Sequence, residues 1–385
     1  MIEINDKEKC CGCTACYSIC PHEAIIMETD HEGFLYPKVD THRCINCNLC
    51  EKICPSLNDS RPDFDLKKTY VAINKNDSER ALSSSGGMFV LFAKKVLESS
   101  GFVFGAAFDS EFEVYHCGID KSENLNKLVG SKYMQSRLGD TFSQIKNLLK
   151  RDKMVLFVGT TCQVNGLKQY LMKDYPNLYC IDFICLGVPS PKVWSDYLDT
   201  YFNKKTINRI NFKDKTNGWH TFSLKIESEN ESFCKNGKNT YFFTGYFRHL
   251  YTRPSCSNCV YKLGNRMSDI TISDCWGYDS IAPEMDDNKG MSSVICHSEK
   301  GLNLFNCCRD DMISKESMLE YVIKYNGGYI KSSENSPLRS AFWKDYSVLP
   351  KKKLFKKYCT PDSKLLRKKI ANRINRMKKS LRCDW

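Results

Sequence analysis

The apolar positions of this chain change their period from one segment to the next. KTYVAINK, at residues 68–75, is a strand-length run. Phe89, Phe92, Ala93, Val96 and Leu97 then recur at helical spacing, which marks one buried face of a helix. GFVFGAAFD and EVYHCGI read as a pair of strands. MVLFVGTTCQVNGLKQYLM reads as strand, tight turn and helix, and LYCIDFICLGVPSP as a buried strand running into a loop. Strands alternating with helices predict an α/β body. From about Asn208 the pattern becomes more β-like, with polar hairpins such as IESENESFCKNGKNTYFF. SLNDSRPDFDLKK, residues 56–68, is polar with a proline and reads as a linker. Near the C-terminus Leu366, Ile370, Ile374, Met377 and Leu381 share one face of a terminal helix.

Charge adds one feature. The net charge is +12, and residues 350–385 hold fourteen Lys/Arg against two Asp/Glu. The rest of the chain is near neutral, so no nucleic-acid partner is expected. The basic helix would lie on an anionic membrane surface or dock an acidic redox partner; the plain alternative is a solvated helix packed on the body. No apolar run approaches the ~18 residues of a membrane helix. MIEINDKEKC lacks the apolar core of a signal peptide. The expected location is the cytoplasm, with peripheral contact to the inner membrane face through the basic helix.

Cysteine changes the picture most. The chain has 22 in 385 residues, below the ~8–10% of short secreted disulfide scaffolds. In a reducing compartment such cysteines read as metal ligands. Cys10, Cys13, Cys16 and Cys20-Pro21 follow C-x2-C-x2-C-x3-C-P, and Cys44, Cys47, Cys50 and Cys54-Pro55 repeat it. The doubled run is the signature of a bacterial two-cluster ferredoxin module. Two intervening residues let a loop wrap one cube, while the fourth cysteine turns to the other cube. One 4Fe–4S cluster then takes Cys10, Cys13, Cys16 and Cys54, and the other takes Cys44, Cys47, Cys50 and Cys20. Cys11 is left spare. Zinc knuckles and disulfides are the alternatives, but zinc sites pair two C-x2-C units rather than ending in C-P. So short a segment has little core of its own, so cluster ligation must supply much of its folding energy.

Four constellations in the body carry candidate chemistry. SSSGG at residues 83–87 precedes a helix, where a backbone can approach a phosphate; a plain helix cap is the alternative. GSKYMQS at residues 130–136 offers Lys132, Tyr133, Gln135 and Ser136 to a pyrophosphate or a flavin edge, and reads equally as a polar turn. Cys162 and Cys185 follow predicted strands, where open α/β sheets place ligands. Cys256 and Cys259 form a C-x2-C knuckle. These four thiols close a third cube, or else are a strand-end pair beside a zinc or empty knuckle. Lastly, SDITISDCWGYD delivers Asp269, Asp274 and Trp276 to a loop, as a cofactor wall or an ordinary strand end. The histidines show no metal spacing.

Taken together, the two-cluster head, SSGG with its helix, GSKYMQS, GTTCQVNGLK, ICLGVPSP, RPSCSNC and SDITISDCWG resemble the coenzyme F-420 hydrogenase/dehydrogenase beta-subunit family from about Cys10 to Phe342. The resemblance implies a flavoprotein binding FAD beside a 4Fe–4S cluster. It places the third cluster on Cys162, Cys185, Cys256 and Cys259. It places flavin contacts at Ser84, Ser85, Gly86 and Gly87, and at Lys132, Tyr133, Gln135 and Ser136. Cys275 stands where the family usually has an aromatic residue, which argues against it as a ligand. Thr161, Leu186 and Ser273 depart from the family's proline, histidine and glycine at those places, which bears on pocket shape and proton supply.

The expected fold class is α+β: a bacterial-type dicluster ferredoxin fold, then a mixed α/β flavin-binding body and a C-terminal basic helix. The expected divisions are 1–60 for the ferredoxin head, 69–190 for the flavin-binding region, 191–345 for the region with the third-cluster knuckle, and 346–385 for the basic tail. The expected function is an iron–sulfur flavoprotein oxidoreductase. It would convert between two-electron and one-electron chemistry, with a redox partner protein or a small-molecule carrier. Chains of this layout are associated with cell-surface polysaccharide synthesis. The alternative is a non-catalytic electron-delivery subunit docked on a separate enzyme. Fold analogy names no substrate.

Overall fold

The structure is a computed structural model and describes residues 1–58, 66–229, 231–262 and 266–364. Most of the expected linker and the apolar face Leu366 to Leu381 of the terminal helix lie outside the described residues. Among the described residues no helix is long and apolar enough to cross a membrane.

The fold is mixed α/β behind a small ferredoxin-like head. In chain order the strands are β1 (Ile25–Thr29), β2 (Leu35–Val39), β3 (Lys68–Asn74), β4 (Phe102–Phe108), β5 (Val114–Ile119), β6 (Val155–Val158), β7 (Leu178–Phe183), β8 (Ile207–Asp214), β9 (Ser223–Ser228), β10 (Ser232–Asn236), β11 (Ile270–Asp274), β12 (Ser292–Cys296) and β13 (Met312–Ser317). Among the described residues they form the head hairpin β1–β2, a three-stranded sheet β10-β9-β8, and an eight-stranded sheet in the order β13-β3-β12-β11-β7-β6-β4-β5. The centre of the large sheet is parallel, β11-β7-β6-β4, and its flanks are antiparallel.

Side-chain alternation explains why the large sheet is covered on both faces. Val103, Ala107, Leu156 and Ile181 point to one face, where helix Met88–Glu98 buries Phe92, Ala93 and Val96. Phe104, Val155, Phe157 and Cys180 point to the other, beneath helices Thr141–Lys150 and Thr161–Leu171. A second core is aromatic: Trp194, Tyr197, Phe212, Phe242, Phe342 and Phe355 pack against the small sheet. Helix Lys351–Tyr358 belongs to that core through Leu354, Phe355 and Tyr358. The first helix of the basic segment is thus seated on the body by its apolar face, with its lysines turned outward. The head has only a small cluster of its own, built on Ile2, Cys16 and Ile25.

Candidate functional site

The cysteine loops of the head share one backbone shape. Gly12 and Thr14 have φ of 69° and 60°; Asn46 and Asn48, at matching places in the second loop, have 54° and 57°. Thr14 and Asn48 cap the short helices Ala15–Ile19 and Leu49–Lys52 in this left-handed conformation. Asparagine tolerates the left-handed region better than most residues, whereas threonine is β-branched and strained there. The left-handed turns curl each loop back on itself. Cys20, Cys44, Cys47 and Cys50 line one cavity of about 370 Å³, with Met1 and His22 at its edge. These are the four expected for the outer cluster. Cys16 is pushed up by burial and then by the thiols of Cys10 and Cys54, which places the inner set together. Burial also pushes the Cys54 thiol up to about 11.

The body set forms where strands end. Cys162 follows β6 in the first turn of helix Thr161–Leu171, which Thr160 and Gln163 close with a reciprocal capping box. Thr160 Oγ1 lies 3.1 Å from Cys162 Sγ. Cys185 follows the adjacent parallel strand β7, and its Sγ accepts from Gly187 N at 3.3 Å. Val188 N donates to Cys256 Sγ at 3.5 Å. Burial, then Cys185, pushes the Cys256 thiol up to about 12. Cys259 faces Cys185 and Cys11. Among the described residues no three His, Cys, Asp or Glu groups converge closely enough to hold a single metal ion; a four-iron cube separates its thiolates more widely than one ion does.

Cys11, spare by spacing, stands at the seam between the two sets. Cys13 of the head and Cys162 of the body both hydrogen-bond to its thiol and hold its pKa well below the usual thiol range. Tyr261 is 6% exposed, and among the described residues its hydroxyl has no hydrogen-bond partner. The groups around that hydroxyl are Cys11, Cys13, Cys162 and Cys54. An orphaned O–H amid four thiols fits sulfur-rich cofactors on both sides of it.

The seam is clamped from the body. Arg253, fully buried, donates from Nε to the Cys10 carbonyl at 2.7 Å, from Nη1 to Gln135 Oε1 at 2.7 Å and from Nη2 to the Leu35 carbonyl at 2.9 Å. Gln135 Nε2 donates in turn to the Cys11 carbonyl at 3.1 Å. A Cβ on Gly12 would meet both Arg253 and Gln135 at 2.7 Å, so only glycine lets the loop approach this closely.

The two candidate flavin segments meet. Ser131 N and Oγ donate to Ser84 Oγ at 2.7 and 2.8 Å. Ser85 donates to the Met291 carbonyl. A Cβ on Gly86 would sit 2.5 Å from the Ala72 carbonyl, so that glycine is required by packing on β3. Gly87 caps helix Met88–Glu98 in the left-handed region. Lys132 Nζ donates to the carbonyls of Leu128, Val129 and Gly130 at 3.1–3.2 Å, and burial pushes it down to about 7. Tyr133 packs its ring against Phe212, Phe243 and Tyr246. Ser136 accepts from Gln163 Nε2 at 2.9 Å. The side chains of Gln135 and Ser136 are thus engaged with the seam and the Cys162 helix.

Sequence reasoning passed over two lysines beside this turn. Lys215 Nζ donates to the Arg80 and Ser85 carbonyls at 2.6 Å, and burial, then Arg80, pushes it down to about 7. Lys213 pairs with Asp274 at 3.0 Å, between the rings of Phe222 and Trp276. Asp274 also accepts from Trp219 Nε1 at 3.1 Å, and Trp219 stacks on Trp276. Asp269, by contrast, holds Cys180 N and Ser298 and has a structural part. Lys132 and Lys215, both depressed by burial and both donating to carbonyls, fit the anionic pyrophosphate of a dinucleotide.

Two repeated cysteine loops ahead of an α/β body with a further set at its strand ends define an iron–sulfur redox protein. Residues 9–58 match the 4Fe-4S dicluster domain. Residues 152–320 belong to the family described as the C terminus of the coenzyme F420 hydrogenase/dehydrogenase beta subunit. No curated protein matches the chain. Among solved structures it is similar to a chain of the F420-reducing [NiFe] hydrogenase complex from Methanosarcina barkeri, at 14% identity and a TM-score of 0.47, over 80% of this chain and 94% of that one.

Proposed function

We propose that this chain is an iron–sulfur flavoprotein oxidoreductase with three 4Fe–4S clusters and one FAD. The outer cluster is held by Cys20, Cys44, Cys47 and Cys50, the inner by Cys10, Cys13, Cys16 and Cys54, and the third by Cys162, Cys185, Cys256 and Cys259. FAD exchanges electrons in pairs and the clusters singly, so a chain holding both joins the two kinds of chemistry. The observation that carries this reading is the contact of Cys11 with Cys13 and Cys162, which puts head and body thiols side by side.

The chain's own residues would do the following. Arg253 and Gln135 fix the Cys10–Gly12 backbone to the body. Lys132, Lys215 and the turn at Ser84, Ser85, Gly86 and Gly87 hold the dinucleotide phosphates. Asp274 holds the Lys213 ammonium in place between aromatic rings, where it can keep or give up a proton at Nζ. The partner is a redox protein or a small-molecule carrier. A place in cell-surface polysaccharide synthesis rests on the sequence resemblance and on no residue of this site.

The test is anaerobic purification with iron and flavin assays. The expected result is about twelve irons and one FAD per chain. About eight irons without flavin leaves only the ferredoxin head and defeats the proposal. The beta-subunit family favours a second reading, in which the chain delivers electrons to a separate enzyme. Turnover by the isolated protein with artificial carriers excludes that reading.

A further inference from the structure

We propose that two body residues, Arg253 and Tyr261, set the reduction potential of the inner head cluster, raising it. The inference rests on the cluster assignment above and adds to it a positioning role that the ligands do not have.

Arg253 is 0% exposed. Burying a guanidinium costs several kcal/mol unless an anion compensates it. The groups that face Arg253 electrostatically are the thiols of Cys10, Cys11 and Cys256 and the Tyr36 phenol, with no carboxylate among them. Its Nη2 lies 3.6 Å from Cys10 Sγ, and the Tyr36 ring covers the guanidinium at 4.2 Å. The compensating anion is therefore the thiolate-ligated cluster itself. Such a cluster gains one negative charge on reduction, so a fixed cation beside it favours the reduced form.

Tyr261 acts from another side. Its unpartnered hydroxyl sits amid Cys13 and Cys54 of the inner set, with Cys11 and Cys162. Hydrogen bonds to cluster sulfur also favour reduction. Both residues come from the segment around the Cys256–Cys259 knuckle, so the body, and not the head, tunes the head's inner cluster. The outer set lines a cavity that neither residue reaches.

The experiment is a potentiometric titration of the intact, anaerobically prepared chain, followed by electron paramagnetic resonance. Arg253→Met should lower one cluster's midpoint, so that at the parent's midpoint its reduced-to-oxidised ratio falls about tenfold. Tyr261→Phe should lower the same midpoint by less, about threefold in that ratio. Arg253→Lys, which keeps the charge, should lie nearer the parent. The outer cluster should not move in any of the three. If Arg253→Met loosens the head and loses iron, Tyr261→Phe decides, because it removes one oxygen and leaves the clamp whole. Variants with full iron and unchanged midpoints overturn the inference while leaving the proposed function standing. A parent chain without the inner cluster overturns both.

Discussion

Arg339 and Glu32 form a two-toothed ion pair across the seam between head and body, with Nη1 donating to Oε1 at 2.7 Å. Their side chains are 13% and 8% exposed, and 307 residues of chain separate them. The pair ties the β1–β2 turn to the start of helix Arg339–Tyr346. Ser190 and Lys192 fasten the same turn through the carbonyls of Glu32 and His31. With Arg253 on the cysteine loop, these contacts hold the head in one orientation on the body.

Removing one partner of such a pair strands the other. Arg339→Ala should cost about 3–5 kcal/mol, the range for breaking a buried pair. Arg339→Lys should recover only part of it, because an ammonium cannot match both carboxylate oxygens. Denaturant melts of the cluster-loaded chain check both, and Arg339→Ala melting like the parent contradicts the clamp.

Thiol burial predicts opposite pH trends with and without iron. The Cys256 thiol rises from 9.0 to about 12 in the folded chain. A raised acid pKa means the folded form without iron is favoured while the thiol is protonated. That contribution is full below about pH 9 and is lost as pH rises toward about 12. Cluster assembly needs the thiolate, so reconstitution should release protons and speed up with rising pH. Iron uptake followed between about pH 7 and pH 9, together with apo-chain melts above about pH 9, checks both signs.

Lys215 makes a trade between stability and binding. Its pKa falls from 10.5 to about 7, so the folded chain without ligand carries a penalty below pH 7 that is relieved as pH rises toward 10.5. A bound phosphate anion would favour the protonated amine, so flavin retention should weaken as pH rises above about 7. Lys215→Met should therefore melt higher than the parent without flavin, yet retain flavin about tenfold more weakly. Undiminished flavin retention would remove Lys215 from the site.

Asp274→Asn should leave iron and flavin content unchanged and lower turnover by about tenfold or more, because Lys213 loses its counter-ion. Parallel cofactor assays and turnover with an artificial carrier check this, and full turnover in the variant contradicts a role for the pair.

Local pattern carried most of the architecture. The strand at KTYVAIN, the helix at Met88–Glu98 and the strand–turn–helix around Cys162 all lie where hydrophobic periodicity puts them, because each buries a face that its own neighbours define. The doubled cysteine run is equally local. What the sequence hid is long-range. Arg253 reaches Cys10 over 243 residues and Gln135 over 118, and a lone arginine has no spacing to read. Lys213 and Asp274 are brought together only when β8 and β11 are placed. Cys11 looked surplus because its partner Cys162 lies in the body. The basic segment from residue 350 read as one helix by charge, whereas Leu354, Phe355 and Tyr358 seat its first helix in the aromatic core.

The central claim is that head and body clusters sit close enough to feel one another. The direct measurement is the electron paramagnetic resonance spectrum of the fully reduced, anaerobically purified chain, with and without Cys162→Ser. The account predicts signals broadened by magnetic coupling between neighbouring clusters, narrowing when the body cluster is disrupted. Sharp, independent signals that ignore the substitution, or no cluster signal at all, would contradict it.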